Sequence, residues 1–364
     1  MSQAERRSGG LRPTEPKARS ERRERSPKAG RVVALAGVAL SIGLIVVGIR
    51  SFPLDQVAHT LAAADLRWML AGALFYLLPL PVRGLRWVTL LRAVKPVSVV
   101  TASEVYAFGT LANNVLPARL GDVARAFVLA KKEKISASSS FATIMLERIF
   151  DGLVVVGFFL TVLVIAPPTA GWTFGLAWAM GLVFSAAVLG SAFVAWQEER
   201  ATKVAAFLVR PLPAALGEKI LGLVKKLALG LHALKSARAT ATVIGCSILI
   251  WVLEAGVYAF VQQALGLDIP LHGLVVVMAV LTLGLTAPSA PGFVGVFEGL
   301  VIAGVGLYGV EGAPALAFAL AVHAVHFSIG TLLGAIAAWR MGLRVRDIQT
   351  AAPAEALGAE ASLQ

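Results

Sequence analysis

The chain has little charge and almost no cysteine. Only 15% of its 364 residues are charged, while 57% are hydrophobic and the mean hydropathy is +0.78. Soluble domains carry roughly 25% charged residues. The composition therefore excludes a soluble globular protein and indicates a polytopic membrane protein. The single cysteine, Cys246, excludes an intrachain disulfide.

The sequence also lacks the usual marks of an enzyme. It shows no nucleotide-binding loop, metal-ligand cluster or Ser/His/Asp arrangement. His323 and His326 lie close together, but no third ligand stands at matching spacing, so we expect no metal. We likewise expect no cofactor and no catalytic residue. The net charge of +12 is explained by membrane topology and attraction to anionic lipid, and we expect no nucleic acid partner.

The sequence contains several long runs without charged residues. Residues 32–49 carry none, and 152–196 carry none over the length of two spans, with a turn at 166–171. A spanning helix needs roughly 20 such residues. Further apolar runs cover 68–92, 239–266, 271–288, 293–310 and 312–339. These runs predict an all-α membrane protein.

Lys and Arg predict the orientation and the domains. Placing 1–31, 83–95, 119–148, 200–238 and 340–346 inside accounts for every basic residue except Arg50 and Arg67. We therefore expect a multi-pass protein of a bacterial-type plasma (inner) membrane with both termini cytoplasmic. The predicted domains are a disordered basic arm (1–31), a transmembrane domain (32–340) and a disordered tail (341–364).

A cytoplasmic amphipathic segment, 198–238, separates the two apolar blocks. Its apolar stripe lies either on the cytoplasmic leaflet or against the protein's own cytoplasmic face. The stripe comprises Ile220, Leu223, Val224, Leu227, Leu231 and Leu234.

Two segments interrupt the apolar context with Pro, Gly and charge, at 113–125 and 287–299. An unpaired amide or charge in lipid costs several kcal/mol, so such breaks line protein-walled cavities. Both have a Gly four residues after a Pro. Paired breaks in two halves of opposite orientation point to a midplane transport site. We predict about six full spans plus two re-entrant helix pairs in an inverted repeat, or eight spans if both arms cross. The helix-breaking residues are Pro117, Gly121, Pro288, Pro291, Gly292 and Gly295.

The first break carries groups suited to phosphate. Gly121 opens a helix whose first turn presents free amides, and Arg119 and Arg125 would reinforce that positive end. The adjacent asparagines either satisfy backbone groups at the break or contact a ligand. Asp122 and Arg125, three residues apart, could also simply pair with each other.

Other ionisable residues extend this candidate site. Glu147 and Asp151 share a helix face near the cytoplasmic boundary, where they either accept an ammonium group or are neutralised by arginines. For Glu298 we favour an arginine partner in the other half over protonation or a cationic substrate. Arg83 and Arg86 are interpreted as interfacial anchors or part of a head-group patch. The predicted substrate-binding residues are Glu104, Asn113, Asn114, Arg119, Asp122, Arg125, Glu147, Arg148, Asp151 and Glu298.

The motifs RGLRW, NNVLPARLGDVAR, ERIFD and APSAPGFVGVFE occur in this order. Together they resemble the flippase-like integral membrane family that includes the transmembrane region of lysylphosphatidylglycerol synthases, over roughly 32–340. Phe293 stands where many members have a second Gly. The synthases carry a large cytosolic aminoacyl-transfer domain after the membrane region, whereas 25 residues follow Trp339 here. The resemblance therefore implies lipid handling without aminoacylation by this chain.

These observations support three hypotheses. The first is a translocase that moves a phospholipid or other anionic lipid head group through a polar cavity between the two breaks. The second is a membrane-embedded lipid transferase using Asp122, Glu147 or Asp151 as base. The third is a non-catalytic membrane subunit that recruits a separate lipid-modifying synthase or glycosyltransferase. The expected partners are a membrane lipid, for which an anionic phospholipid is favoured, and, in the third hypothesis, a separate lipid-modifying enzyme. The sequence leaves the oligomeric state open.

Overall fold

A computed structural model describes residues 50–116, 120–166, 197–210, 236–285 and 290–343, with isolated positions between them. Every regular element in these ranges is a helix, as predicted. Four of the stretches described are long and apolar enough to cross a membrane: Leu66–Leu91, Ala137–Ile165, Ala237–Ala264 and Gly312–Arg340. They coincide with four of the six predicted full spans. The other two, 32–49 and the second half of 152–196, lie outside the described residues.

The helices are numbered here in chain order. A 3-10 helix, Pro291–Phe293, precedes α10, and the helical stretch Leu66–Leu91 consists of α2 and α3 joined by a turn at 76–78. The α-helices are α1 Leu54–Ala62, α2 Leu66–Phe75, α3 Pro79–Leu91, α4 Val99–Val115, α5 Gly121–Glu133, α6 Ala137–Ile165, α7 Glu198–Leu208, α8 Ala237–Ala264, α9 Leu271–Gly284, α10 Val296–Gly306 and α11 Gly312–Arg340. The predicted apolar stripe spans 220–234. The structure describes only residues 221 and 222 of that span, and neither belongs to the stripe.

Serine side chains start three of the longer helices. Ser98, Ser136 and Ser236 each accept a hydrogen bond from the backbone N–H three residues on, which satisfies one amide that the first turn leaves free. Asp65 caps α2 by accepting from the N–H of Arg67. The hydrogen bond from the Arg67 side chain lowers the pKa of the Asp65 carboxyl below its ordinary value. These caps explain why the helices begin where they do.

Helix α6 begins earlier than the uncharged block suggested. It starts at Ala137, fifteen residues before the uncharged run at 152, so Asp151 lies fourteen residues from each end of the helix. Glu147, Arg148 and Asp151, which were expected near or just inside the cytoplasmic boundary, therefore lie in the middle part of a helix long enough to cross a membrane. An uncharged run gives the full extent of a spanning helix only when the helix carries no paired charges. The charged side chains of α6 pair with residues of other helices, so α6 extends beyond the uncharged run.

Each break folds its two arms into an antiparallel hairpin. In the first, Glu104 on α4 forms an ion pair with Lys132 near the end of α5, while Gly109 packs beside Arg125. In the second, Gly273 and Gly304 of the α9–α10 hairpin pack against Tyr308 and Val277 respectively. In each hairpin the outer ends of the two helices therefore lie side by side, and the break lies at the opposite end of the hairpin.

The two hairpin tips touch each other. The 3-10 helix of the second break packs against α4, the incoming arm of the first. A methyl group built on Gly292 would lie 3.6 Å from the Asn114 carbonyl oxygen and closer still to the Phe327 ring. The two breaks therefore meet each other, with Gly292 buried at the contact.

The same succession of elements occurs twice. The stretch formed by α2 and α3 is followed by the α4–α5 hairpin and then by α6, and α8 is followed by the α9–α10 hairpin and then by α11. The two closing helices, α6 and α11, are both 29 residues long. The largest hydrophobic core lies among α6, α8, α9, α10 and α11.

The outer surfaces of the long helices are apolar. Leu66, Leu70 and Leu74 lie one turn apart on α2 and are more than half exposed. Ile244, Ile248 and Leu249 on α8 are 40–46% exposed. Apolar side chains outside and charged side chains inside are the arrangement that a bilayer requires.

Candidate functional site: a buried ionic cluster

Six ionisable side chains from three helices meet in the interior. We call this group the central ionic cluster. It holds three arginines and three carboxylates, so its formal charge is balanced. Arg86 and Glu147 are 0% exposed, Arg125 1% and Asp151 3%. Its members are Arg86, Asp122, Arg125, Glu147, Arg148 and Asp151.

Helix α6 provides the acidic face of the cluster. Glu147 and Asp151 are one turn apart and point to the same side, as their spacing predicted. Arg86 from α3 donates to both Asp151 oxygens, Nη1 to Oδ1 at 2.5 Å and Nη2 to Oδ2 at 3.2 Å, and reaches Glu147 at 3.4 Å. Two parallel bonds between a guanidinium and a carboxylate are the strongest form of ion pair.

Helix α5 adds Asp122 and Arg125 from the turns after the break. Arg125 forms an ion pair with Glu147, and its guanidinium lies over the rings of Trp87, at 4.4 Å, and Tyr106, at 4.8 Å. Asp122 accepts from Arg148 at 3.2 Å but stands 4.0 Å from Arg125. The stronger partner of Asp122 is therefore on α6, rather than the residue three positions along its own helix.

Helix α8, from the second half of the chain, completes the cluster. The Trp251 Nε1 donates to Asp151 Oδ1 at 3.1 Å, and Arg86 donates to Ser247 Oγ at 3.0 Å. Neither residue was in the predicted site. In the sequence, each of them appears only as a polar group within a long apolar run, and this pattern does not indicate which residue it bonds.

The two asparagines at the first break have different partners. The Gly121 N–H donates to Asn113 Oδ1 at 2.8 Å, and Asn114 Nδ2 donates to Thr331 Oγ1 on α11 at 2.9 Å. Asn113 thus satisfies a backbone group at the break, whereas Asn114 ties the break to α11. Pro117 and Arg119, like Pro288 in the second break, lie outside the described residues.

The second break is held by a different acid–base pair. Glu298 Oε2 accepts from the Gly295 N–H at 2.7 Å, and its Oε1 contacts His323 Nδ1 at 2.5 Å. The Phe297 ring stacks on His323 with centroids 4.2 Å apart. Among the described residues, Glu298 contacts a histidine of the facing helix α11 and not the expected arginine; Arg119 lies outside the described residues. Gly292, Phe293 and Gly295 all have positive φ, which only the two glycines adopt without strain.

Glu104 belongs to a separate bridge. Its carboxylate pairs with Arg340 at 2.9 Å and with Lys132 at 3.5 Å. These contacts tie the start of α4 to the ends of α5 and α11. Glu104 thus lies apart from the cluster formed by the other predicted acids of the first half.

A second buried group, the Arg83–Glu254–His326 triad, lies beside the central ionic cluster. Arg83 donates to Glu254 at 2.5 Å and to the Tyr106 hydroxyl at 2.8 Å, and Glu254 contacts His326 at 3.1 Å. The ring of Tyr106 also faces Arg125, so this tyrosine joins the two groups.

A partly open cavity reaches the triad. Its free volume is about 30 Å³, which is room for one water molecule. It lies between α3, α4, α8 and α11, and its lining includes Tyr76, Arg83, Tyr106, Thr110 and Glu254.

Arg83 and Arg86 were interpreted as interfacial anchors, and this was wrong. Arg83 is 8% exposed and Arg86 is fully buried, each with a carboxylate partner from another helix. Paired arginines inside the bundle report nothing about which side of a membrane a loop occupies. The positive-inside argument therefore depends on the basic residues near helix ends, such as Lys131, Lys132 and Arg340.

A charge-balanced ionic cluster inside a bundle of apolar helices defines an integral multi-pass membrane protein with a polar interior. Residues 34–334 match the family model described as the lysylphosphatidylglycerol synthase TM region, and the chain belongs to this family. The resemblance seen in the sequence motifs is thereby confirmed.

Two curated relatives are similar to the chain. Glycosyltransferase AglD of Haloferax volcanii is 28% identical over 84% of this chain, which spans 54%, about half, of that protein's length. The UPF0104 membrane protein PH1989 of Pyrococcus horikoshii is 26% identical over 82% of this chain and 94% of that protein. No solved structure matches the chain.

Proposed function

We propose that the protein is a lipid translocase that moves an anionic lipid head group across the bilayer through its polar interior. In this proposal the two halves form an inverted repeat, and the hairpins are re-entrant. The hairpin arms contain 11 to 17 residues. At 1.5 Å per residue they are roughly 16 to 26 Å long, shorter than the ~30 Å hydrocarbon core.

The observation that carries the proposal is the central ionic cluster at mid-helix. Burying ions costs free energy, and well-packed apolar side chains of similar volume stabilise a fold as well or better. Ionisable groups inside a membrane bundle are therefore typical of transport pathways. The cluster is built from α3, α5 and α6 and is contacted by Trp251 and Ser247 of α8, so it lies between elements of both halves.

The arginines of the cluster have hydrogen-bond donors left that could bind a phosphate. Among the described residues, the Nε of Arg86, Arg125 and Arg148 are buried without a hydrogen-bond partner. The Arg148 side chain is 32% exposed, which makes it the most accessible cation of the cluster. A phosphate that enters the cluster can accept bonds from these forks while the carboxylates keep the total charge low.

The described conformation is closed to a lipid head group. The cavity at the triad holds about one water, far less than a head group needs. Transport therefore requires the halves to move relative to each other and open the interior to one leaflet at a time.

Reconstitution tests this function. Purified protein in phosphatidylcholine vesicles would be assayed for movement of a fluorescent phosphatidylglycerol between leaflets, with an impermeant quencher. Wild-type protein should accelerate the movement over empty vesicles, and Arg148→Gln should slow it by at least about tenfold, as expected for the loss of a charge-assisted contact of 1.5–3 kcal/mol. The matched control is Arg67→Gln, because the Arg67 side chain is 89% exposed and pairs only with Asp65 among the described acids. Equal rates with wild-type protein and with empty vesicles would refute the proposal.

A membrane subunit that serves a separate lipid-modifying enzyme is the second candidate. The similarity to part of a longer protein named as a glycosyltransferase favours it. Copurification of a glycosyltransferase, with no lipid movement by the protein alone, would support this candidate. A membrane-embedded transferase would instead leave a covalently altered lipid after incubation with the purified protein.

A further inference from the structure

Hydrogen-bond donors and acceptors around His326 do not balance unless an additional proton is present. The His326 Nδ1 lies 2.8 Å from the Val322 carbonyl oxygen, which can only accept. Nδ1 therefore carries a hydrogen. The other ring nitrogen, Nε2, lies 3.1 Å from Glu254 Oε2. In a neutral imidazole with hydrogen on Nδ1, Nε2 is an acceptor and would face an ionised carboxylate, another acceptor.

One proton between these two atoms resolves the conflict. It sits either on Nε2, which makes an imidazolium facing a carboxylate, or on Oε2, which makes a carboxylic acid donating to a neutral imidazole. Arg83, at 2.5 Å from Glu254 Oε1, occupies the other oxygen and favours the ionised carboxylate. The contact between α8 and α11 at this point exists only while the proton is bound.

The surroundings contain no second carboxylate for His326 among the described residues. Tyr76, in the turn after α2, and Tyr258 from α8 present their rings edge-on, with centroids 4.8 and 5.7 Å from the imidazole, and Phe297 from α10 lies at 6.3 Å. His323, one turn back on α11, is engaged by Glu298. Glu254 is therefore the described group that shares the proton.

The site lies where a transported ion would have to pass. His326 is fourteen residues from both ends of α11, so it is at mid-span. The water-sized cavity touches Glu254 and Arg83, which gives the proton an aqueous route to the pair. From there Tyr106 leads to Arg125 in the central ionic cluster.

We propose that the protein carries a proton together with its lipid, held between His326 Nε2 and Glu254 Oε2. This inference rests on the proposed translocase function. Uptake forms one N–H or O–H bond with a proton from water, release breaks that bond and returns the proton to water, and no electrons are exchanged. After release, the lone pairs of Nε2 and Oε2 repel, α8 and α11 separate at this level, and the interior opens beside the triad.

The test is lipid accumulation against a pH difference. In vesicles with one pH unit across the membrane, one proton per lipid shifts the leaflet distribution of a fluorescent phosphatidylglycerol by about tenfold. His326→Gln should abolish this shift, because the amide still donates to Glu254 but takes up no proton. The matched controls are His59→Gln and Glu311→Gln, since both side chains are exposed. They should retain the full shift.

Two results separate failure of this inference from failure of the proposed function. Wild-type protein that moves the lipid to an even distribution whatever the gradient refutes proton coupling and leaves translocation intact. Wild-type protein that moves no lipid refutes the proposed function, and coupling with it.

The proton site itself is tested by a separate measurement. Nitrogen-15 NMR of labelled histidine and carbon-13 NMR of labelled glutamate carboxyls, assigned by comparison with His326→Gln and Glu254→Gln, should show either an imidazolium or a neutral ring beside a protonated Glu254 at pH 7. An ionised Glu254 beside an unprotonated Nε2 would overturn the site.

Discussion

Asp151 and His326 occupy equivalent positions: each is the central residue of a 29-residue helix, fourteen residues from both ends of α6 or α11. Arg148 and His323 likewise stand three residues before them. The same register thus carries an Arg/Asp pair in the first half and two histidines in the second. The first set pairs guanidinium groups with carboxylates, and the second pairs imidazoles with Glu298 and Glu254. The two halves share a layout but differ in chemistry.

Arg86 should be essential for folding unless its charge is removed together with a carboxylate. Arg86→Met leaves Asp151 buried with only Trp251 and the more distant Arg148, and we expect it to cost about 3–5 kcal/mol. Arg86→Met combined with Asp151→Leu restores charge balance and should recover much of that loss. Thermal unfolding in detergent measures both.

The control for this prediction is an exposed ion pair of the same two residue types. Arg67→Met breaks the exposed pair with Asp65 and should change stability by less than about 1 kcal/mol. If the double variant is no more stable than Arg86→Met alone, the cluster is not held by the balance of charges.

The helices and their breaks could be predicted because they depend on local sequence. Long apolar runs locate α8 and α11 to within a few residues, and the offset from Pro to Gly locates the hairpin tips. The spacing of Glu147 and Asp151 places them on one face of α6. These properties follow from helix geometry alone.

The partners could not be predicted because they come from distant parts of the chain. Arg86 is 65 residues from Asp151, and Trp251 is 100 residues from it. Nothing in the local pattern distinguishes an arginine at an interface from one that reaches a buried carboxylate. For Glu298, the charge required a cation but did not choose between arginine and His323. That choice depends on how α10 packs against α11.

Gly121 should not tolerate even a methyl group. A Cβ at this position would collide with the Gly109 carbonyl oxygen and with the Asn113 side chain on α4. Because one of these is backbone, Gly121→Ala must push the two arms of the first hairpin apart, at a cost of about 1–3 kcal/mol. Gly157→Ala on α6 is the matched control, since a Cβ there meets nothing within 4 Å and Ala favours a helix. Unfolding temperatures that fall equally for both variants would contradict the close approach of α4 and α5.

Opening of the interior should be visible as reactivity of a cysteine placed in the cavity wall. Cys246 is the single native cysteine and is buried, so Cys246→Ser gives a background free of thiols. In that background Thr110→Cys lines the water-sized cavity, whereas Ala279→Cys lies in the apolar core at 0% exposure. The cavity is partly open but smaller than an impermeant thiol reagent, so Thr110→Cys, which is half-buried, should react slowly until the halves separate. Labelling should therefore accelerate when phosphatidylglycerol is added and stay slow at Ala279→Cys. A rate at Thr110→Cys that is indifferent to lipid would mean that the interior does not open during transport.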